Sequence, residues 1–338
     1  MTDSAAAPIL CFGETLLRLS APGREMLFQS GRFDAVWGGA ETNVAVGLAR
    51  LGTASALVTA LPDNALGDAA LREVRGLGVD VSRVVRGAGR MGIYFLAQGA
   101  GLRASSIVYD RAGSLFATSG PASFDWPALL RGAGRLHLSG ITPALGPNGT
   151  AMELAAARAA SDAGVPVSFD GNFRAQLWAA WDGDPRAILS ELIGHADLMF
   201  GNHRDVALLL GQDFSGDGLD RRREAAEAAF AAFPRLRFIA STARHVDDAD
   251  RHRLSARIDT RASAHQTREV RIAGIVDRIG GGDAFAAGVL HGLAQGPDAA
   301  AEIGLAFAAL KHSIPGDFCL AGPGEVVAFL EGGFDVRR

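Results

Sequence analysis

The chain has 338 residues, 48% of them hydrophobic, and a formal net charge of −4. That length is enough for one large domain or two modest ones with a buried core. No basic stripe is present, which argues against a nucleic-acid partner, and no run reaches the ~18 apolar residues of a membrane span. The first eight residues, MTDSAAAP, lack the basic start and apolar stretch of a secretion signal, so a cytoplasmic protein is expected.

Two cysteines in a chain of this length make no disulfide framework. Cys11 and Cys319 are far apart in the sequence and stand among apolar neighbours, so both are expected to be small buried hydrophobic residues.

The first half of the chain combines a regular pattern with a hairpin signal. The predicted elements, in chain order, are a strand with its continuation (9–19), a helix ending at Gly52 (43–52), a strand (54–61) and a helix (66–79). Residues 91–98 and 104–111 are then two strand-like runs joined by a glycine-rich link that leaves no room for a helix. We expect these runs, with parts of 15–37, to form a small sheet outside the main one.

From residue 135 onward, strands and helices alternate. Strands are predicted over 136–142, 165–172, 196–202 and 236–242, helices over 148–163, 185–195, 203–210, 220–232, 283–294, 298–312 and 324–331, and a second hairpin over 255–272. This alternation favours a mostly parallel sheet covered by helices on both faces. The sequence therefore predicts one α/β domain with a small β excursion.

The stretch DRIGGGDAFAAG places three glycines before Asp283 at the start of a predicted helix. A glycine loop that enters a helix directs several amides and the positive end of the helix dipole to one place, which suits an anion. Asp283 would lie in the first turn, where a carboxylate either caps the helix or serves in catalysis. The pattern leaves both roles open, although capping does not require three glycines.

Two common phosphate-binding motifs are excluded. Phe285 stands where a dinucleotide fingerprint has its third glycine, and a Walker A loop needs a lysine before Ser or Thr. Lys311 is the only lysine of the chain, and His312 follows it. A protein of this sequence that handles phosphates must therefore use backbone amides, arginines and a metal.

The motifs resemble those of the PfkB/ribokinase family of carbohydrate kinases. GGGDAF at 280–285 resembles the C-terminal signature of the family and GGAETNVAVGLARLG at 38–52 the N-terminal one, with DGNFR (170–174) and GNHRD (201–205) in order between them. The resemblance covers roughly 9–330. It implies a ribokinase-like three-layer α/β/α fold, a single kinase domain over 1–338 with a β-sheet lid from parts of 15–37 and 88–113, and ATP-dependent phosphorylation of a sugar hydroxyl.

The resemblance also implies the catalytic roles. Asp283 takes the proton of the attacking hydroxyl, and the amides of Gly280, Gly281 and Gly282 bind the transferred phosphoryl group. Gly281 stands where alanine is usual. Asp205 replaces the usual glutamate of the metal-linked N-x-x-E motif, which keeps the charge and shortens the side chain by one methylene.

The nucleotide side follows from the same resemblance. The expected contacts are Asn172, Asn202, Thr242, Arg244, Gly280, Gly282, Lys311 and His312, with ATP and Mg²⁺ as cofactors. A requirement for a monovalent cation stays open. Lys311 has a second interpretation, as a lysine at a helix C-terminus that interacts with the helix dipole.

The substrate side is similar to that of 2-keto-3-deoxygluconate kinases. The candidate contacts are Gly38, Gly39, Asn43, Tyr94, Tyr109, Arg111, Arg174, Asp283 and Asp317. Arginine binds a carboxylate with two parallel hydrogen bonds, whereas a neutral hexose needs no such partner. We therefore expect a sugar acid, and the resemblance implies 2-keto-3-deoxygluconate, phosphorylated at its terminal hydroxyl to the 6-phosphate. On residue pattern alone, Arg111 also fits a solvated charge at a hairpin edge, and the tyrosines fit core aromatics.

Other functions remain open at this point. They are a kinase of another sugar, such as fructose, ribose or 2-keto-3-deoxygalactonate, and a non-catalytic sugar-binding regulator on the same fold. A lid of this kind exposes an apolar face when alone, which predicts a homodimer through the lid. Asp277, Arg278 and Ile279 occupy positions where the family more often has small hydroxylated residues, and the sequence gives no reason for the change.

Overall fold

Three sheets, of nine, four and two strands, make up the β-structure of the computed structural model, which describes residues 7–333. The strands are β1 (Ile9–Phe12), β2 (Leu16–Ser20), β3 (Asp34–Gly38), β4 (Ser55–Val58), β5 (Ala60–Pro62), β6 (Val85–Gly87), β7 (Gly92–Ala97), β8 (Ser106–Asp110), β9 (Arg135–Ser139), β10 (Val167–Asp170), β11 (Leu198–Phe200), β12 (Phe238–Asp248), β13 (Arg251–Thr260), β14 (Ala264–Gln266) and β15 (Val270–Ala273). The two-stranded sheet pairs β5 with β6. Residues 1–6, which carry most of the stretch used against a secretion signal, lie outside the described part.

The helices follow the predicted alternation. They are α1 (Ala40–Arg50), α2 (Ala65–Gly76), α3 (Leu115–Thr118), α4 (Trp126–Leu129), α5 (Pro147–Asp162), α6 (Ala175–Trp178), α7 (Pro185–Gly194), α8 (His203–Leu210), α9 (Gly218–Ala232), α10 (Gly281–Gly292), α11 (Pro297–Lys311) and α12 (Pro323–Glu331). Between residues 7 and 333, no helix combines the length and apolar character needed to cross a membrane.

The large sheet has the order β14-β13-β12-β11-β10-β9-β1-β4, with β15 also paired to β13. The pairs from β4 to β12 are parallel, and β13 is antiparallel to β12. The chain leaves β1 for β4 on one side and later returns to β9 on the other. Ligands of open α/β sheets bind at such a reversal, outside the carboxyl ends of the strands.

Buried apolar residues lie on both faces of this sheet. In β1, Ile9 and Cys11 belong to a core cluster with residues of α1, α10 and α11, while Leu10 and Phe12 belong to the opposite cluster with residues of α5 and α7. Cys319 is also buried. The expected α/β architecture, with helices on both faces of a mostly parallel sheet, is confirmed.

The small sheet has the order β3-β2-β7-β8 and is mixed. β2 runs parallel to β7, and β7 and β8 form the predicted hairpin with Tyr94 opposite Tyr109. Leu16, Tyr94 and Leu96 form an apolar cluster on one face. We call this sheet the lid. Its strands lie in the segments expected from the sequence, except that β3 extends one residue further, to Gly38.

The predicted strand over 236–242 is too short. β12 continues to Asp248 and pairs antiparallel with β13, as in Ala240 opposite Ile258. The outer part of this ribbon lies largely exposed and is polar, so the alternation that marks a strand is lost there. The segment 255–272 does contain antiparallel pairing, because β14 and β15 both pair with β13, but its main partner, β12, was missed.

Candidate active site

The glycine run forms the turn into α10. Gly280 is the N-cap residue and has a left-handed backbone with φ 82. A Cβ on Gly280 would lie 2.0 Å from the carbonyl oxygen of Asp317, so a side chain is excluded there. The Gly281 amide donates to the Arg278 carbonyl at 3.2 Å, and Gly281 and Gly282 line a large cavity. The Gly281 amide is thus already paired, and the other first-turn amides of α10, which a helix leaves without intrahelical partners, are the ones available to a ligand in that cavity.

Asp283 lies in this first turn, and its carboxylate is held from another helix. Asn43 Nδ2 in α1 donates to Asp283 Oδ2 at 2.6 Å. Burial, with a smaller effect of Asp317, raises the pKa of Asp283 to about 6, against the lowering effects of the Asn43 hydrogen bond, Arg174 and Lys311. A carboxyl group of this pKa is mostly ionised at neutral pH and still accepts a proton readily, as a general base requires.

Asp317 is the centre of the polar contacts below the lid. Tyr94 Oη lies 2.7 Å from both carboxylate oxygens, and Arg18 Nη1 lies 2.8 Å from Oδ1. A Cβ on Gly38 would lie 2.0 Å from Asp317 Oδ2, so glycine is needed at that position. The structure thus brings together three predicted substrate-side residues, and it uses the Tyr94 hydroxyl inside the protein.

Arg111 is buried, contrary to the alternative of a solvated charge at the hairpin edge. Its Nε and Nη2 lie 2.8 and 2.7 Å from Glu14 Oε2, in the loop after β1. Its Nη1 is buried without a hydrogen-bond partner. A buried unpaired donor is costly, so this nitrogen favours a ligand that brings an acceptor. Glu14 was missed, although an acid just after a central strand is a sequence signal for a site residue.

The other predicted substrate-side groups lie around the same place. Arg174 is exposed, its Nη1 donates to the Phe173 carbonyl at 3.1 Å, and its charge acts on Asp283. The Tyr109 ring lies 6.1 Å from the Tyr94 ring. Asn43 Oδ1 is buried without a partner. Gly39 has φ 133 and a Cβ there would lie 2.2 Å from the Glu14 carbonyl oxygen, so Gly39 permits a close backbone approach.

Two further aspartates lie near Asp283. Burial, then Asp283 and Asp205, raise the pKa of Asp170 to about 8, and burial also raises the pKa of Asp205. A carboxyl group whose pKa is raised by burial and by neighbouring acids is a favourable neighbour for a divalent cation. Asp170 was missed, although it ends a buried strand at the carboxyl edge of the sheet.

Asp170 and Asp205 fit a Mg²⁺ ion that takes its other ligands from the phosphates of a bound nucleotide and from water. Within the described residues 7–333, no three potential ligands are close enough to hold a metal ion on their own. Mg²⁺ commonly binds through one or two carboxylates together with phosphate oxygens and waters. The predicted metal residue, Asp205, also uses Oδ2 to accept from the Asn202 amide at 2.7 Å, which caps α8.

The cavity beside the glycine turn has a volume of about 740 Å³. Of the residues predicted for the nucleotide, those on its wall are Asn202, Thr242, Arg244, Gly282 and His312. Arg278 also lines it, and burial and this neighbouring arginine lower the pKa of Arg244. Two arginines that disfavour each other's charge are well placed for a polyanion such as a nucleotide phosphate chain.

Three of the predicted nucleotide residues do not line the cavity. Gly280 contacts the Asp317 loop, as described above. Asn172 has φ 38 and its amide donates to Asp170 Oδ1 at 3.0 Å. Lys311 is fully buried, with its ammonium on two backbone carbonyls.

The three unusual residues before the glycines each have a physical role. Asp277 Oδ2 pairs with Arg18 Nη2 at 2.6 Å and accepts from the Gly316 amide at 3.1 Å. Arg278 lines the cavity, and Ile279 packs against the apolar cluster of the lid. The Asp277–Arg18 pair spans 259 residues of sequence, so no local pattern reveals it.

Comparison with known proteins agrees with this geometry. The model of the pfkB family carbohydrate kinases matches residues 6–317. The chain is 31% identical to 2-dehydro-3-deoxygalactonokinase of Haloferax volcanii, over 97% of this chain and 98% of that protein. It is 29% identical to 2-dehydro-3-deoxygluconokinase of Bacillus subtilis, over 90% of each. The crystal structure of 2-dehydro-3-deoxygluconokinase from Thermotoga maritima superposes with a TM-score of 0.91 at 36% identity, covering 97% of this chain and 99% of that one.

A glycine turn into a helix, a held carboxylate beside it and a lid over the carboxyl ends of a parallel sheet define a phosphotransferase site. The chain belongs to the pfkB family of carbohydrate kinases and is an ATP-dependent phosphotransferase with the ribokinase-like fold. The alternative of a non-catalytic regulator is therefore set aside.

Proposed function

We propose that the protein phosphorylates 2-keto-3-deoxygluconate at its terminal hydroxyl and yields the 6-phosphate. The observation that carries the sugar-acid assignment is Arg111, whose buried Nη1 has no partner while Glu14 holds the rest of the guanidinium. A substrate carboxylate or its adjacent keto oxygen would satisfy that donor. The exposed Arg174 adds positive charge near the same acids.

In the proposed reaction, Asp283 takes the proton of the terminal hydroxyl. The hydroxyl oxygen then bonds to the γ-phosphorus of ATP, and the bond from that phosphorus to the bridging oxygen of ADP breaks. The first-turn amides of α10 stabilise the charge on the transferred group, and Arg244 and Arg278 bind the phosphates that remain on ADP. Asn43 holds the Asp283 carboxylate in place through its 2.6 Å hydrogen bond.

Mg²⁺ would neutralise phosphate charge when it is bound. Asp205 and Asp170 are the residues proposed to hold it, through bound water or directly, together with ATP. Burial raises the pKa of both residues, and Asp205 adds to the rise at Asp170, so a cation beside them would favour their ionised forms.

A second candidate substrate is 2-keto-3-deoxygalactonate, the C4 epimer. The Haloferax volcanii relative carries the galactonate name at 31% identity, whereas the Thermotoga maritima structure carries the gluconate name at 36%. One hydroxyl's orientation separates the two compounds, and such a difference depends on a single polar contact.

A coupled ADP-release assay with both epimers and with neutral fructose and ribose tests the proposal. We expect kcat/KM for 2-keto-3-deoxygluconate to exceed that for each neutral sugar by about 10³-fold or more, because buried polar groups are left unpaired without the carboxylate. Turnover of neutral sugars alone would overturn the sugar-acid assignment. A higher kcat/KM for the galactonate epimer would overturn the choice of epimer only.

We further propose that the protein is a homodimer through the outer face of the lid. Phe28, Phe33 and Phe95 pack together on that face, and Phe28 and Val108 are 75% and 50% exposed. Exposed aromatic and aliphatic residues in one patch favour a protein partner, and a two-fold axis lets one patch cover its own copy. Sedimentation of the wild type and of Phe28→Asp tests this: a dimer that becomes a monomer is expected, and a monomeric wild type contradicts it.

A further inference from the structure

Lys311 is the only lysine of the chain, and it is completely buried. It is the last residue of α11, and its Nζ donates to the carbonyl oxygens of Ile314 at 2.8 Å and Asp277 at 3.2 Å. Desolvation of this kind is costly for an ammonium group and lowers the pKa of Lys311. A lysine placed so deeply in a chain that otherwise uses arginine calls for a specific role.

The two carbonyls belong to the two loops that build the catalytic turn. Asp277 begins the segment that leads through the glycines into α10, and Ile314 lies in the segment that leads to Asp317. A Cβ on Gly280 would lie 3.4 Å from Lys311 Cε. The lysine side chain thus runs directly beneath the glycine turn and ties both loops together.

The charges around the ammonium are balanced. Arg18 pairs with Asp277 at 2.6 Å and with Asp317 at 2.8 Å, and both aspartates also act on the Lys311 charge. Two buried cations therefore face two buried anions. Loss of the lysine charge would leave a net negative cluster under the place where a phosphoryl group must bind, and an uncompensated buried charge is strongly unfavourable.

We propose that Lys311 is a positioning residue that acts as a built-in monovalent cation of the catalytic turn. Inward backbone carbonyls are the ligands with which proteins bind K⁺, and an ammonium with three donors is the side-chain counterpart of such an ion. Lys311 thereby fixes the glycine turn and supplies one positive charge beneath it. The reaction then needs no dissolved monovalent cation, which resolves the requirement that the sequence left open.

The first test uses the unchanged enzyme and rests on the proposed function only for its substrate. Initial rates with 2-keto-3-deoxygluconate and MgATP, prepared as tetramethylammonium salts, are measured with added K⁺, Na⁺ or more tetramethylammonium. We expect rates that agree within about twofold, since the ammonium already fills the cation position. Activation by K⁺ would overturn the proposal, whereas no turnover of either epimer under any salt would overturn the proposed function instead.

The second test makes room for an added cation. Lys311→Ala is expected to lower kcat by about 10²–10³-fold, as loss of one preorganised electrostatic group does. Adding K⁺, NH₄⁺ or methylammonium should then raise the kcat of this variant by at least about tenfold. Its melting temperature should rise with K⁺, because the ion binds the folded state. A folded Lys311→Ala enzyme with no response to any of these cations in rate or melting would overturn the proposal.

Two further variants separate charge from folding. Lys311→Met keeps most of the volume without the charge and leaves little room for an ion, so it should lose activity without rescue. Arg50→Met is the matched control, because Arg50 is also a base in the last turn of a helix and donates to a backbone carbonyl, that of Leu320 at 3.2 Å. Arg50→Met should keep wild-type rates, and these rates should not depend on which cation is added. If Lys311→Ala does not fold, the wild-type salt series still decides the question.

Discussion

Helices α8 and α10 both start at the carboxyl edge of the large sheet with an aspartate three residues after the N-cap, yet the two carboxylates do different things. In α8, Asp205 Oδ2 accepts from the amide of its own N-cap residue, Asn202, at 2.7 Å, which completes a capping box. In α10, the N-cap is Gly280, no capping box is present, and Asp283 is held by Asn43 from another helix at 2.6 Å.

The difference gives a physical basis for assigning the same residue at the same helix position as a cap in α8 and, in the proposed mechanism, as a base in α10. A side chain that returns to its own N-cap amide stabilises its helix. A side chain that is bonded from outside leaves the helix amides to a ligand and keeps an oxygen for chemistry. The choice goes with the backbone at the N-cap: Asn202 and Gly322 are extended and their amides donate to the first-turn acid, whereas Gly280 is left-handed and has no such bond.

The largest expected effect is that of Asp283→Asn. Without a proton acceptor, kcat should fall by about 10²–10⁴-fold, the usual contribution of general-base catalysis. Steady-state kinetics with 2-keto-3-deoxygluconate measure it. Glu325→Gln is the matched control, because Glu325 is also a first-turn acid and caps α12 through the Gly322 amide at 2.9 Å. A wild-type value of kcat in Asp283→Asn would refute the assignment of Asp283 as the general base.

The next effect concerns the arginine at the end of β8. Arg111→Lys keeps a positive charge but loses both the Nε–Nη2 fork that binds Glu14 and the unpaired Nη1. KM for the sugar acid should therefore rise by about 10–100-fold, the cost of one charged hydrogen bond. KM for ATP should stay unchanged. Arg86→Lys is the control, since Arg86 pairs with Asp68 at 2.8 Å near the surface. Equal changes in both KM values would contradict the substrate role.

Asp205→Ala tests the cap. Loss of a helix cap lowers the free energy of unfolding by about 1 kcal/mol, and loss of the proposed Mg²⁺ contact should raise the Mg²⁺ concentration needed for half-maximal rate. Urea unfolding and a Mg²⁺ titration measure the two effects. Asp205→Glu should restore the wild-type Mg²⁺ dependence more fully than it restores the stability lost with the helix cap. An unchanged Mg²⁺ titration in Asp205→Ala would remove this residue from the metal site.

The smallest effect is a shift in pH dependence. Burial raises the pKa of Asp283 to about 6, so kcat/KM should fall as the pH drops through about 6 and the base becomes protonated. The Asn43 hydrogen bond lowers the pKa of Asp283, so its removal in Asn43→Ala should raise that pKa and move the acidic limb to higher pH. If the acidic limb of the Asn43→Ala pH profile stays in place or moves to lower pH, Asp283 is not the group that sets this limb.

The sequence predicted the architecture and the residues that come together. Helices and parallel strands follow from local periodicity, and the structure brings the predicted residue Asp283 beside Asn43 and the predicted residue Asp317 beside Gly38. It did not predict which oxygens and nitrogens are already used inside the protein. That Tyr94 serves Asp317, that Glu14 holds Arg111 and that Arg18 joins the lid to Asp277 depend on contacts between distant segments. Arg18 was missed, although it shares the inward face of β2 with Leu16 and Ser20.

A single-turnover comparison of two variants separates the proposed base from the cap. Phosphoryl transfer from labelled ATP to 2-keto-3-deoxygluconate is followed for Asp283→Asn and Asp205→Asn, with saturating Mg²⁺ and both substrates bound. We expect transfer to be slowed by about 10²–10⁴-fold in Asp283→Asn and by less than about tenfold in Asp205→Asn. Equal rates in the two variants would contradict the division into base and cap.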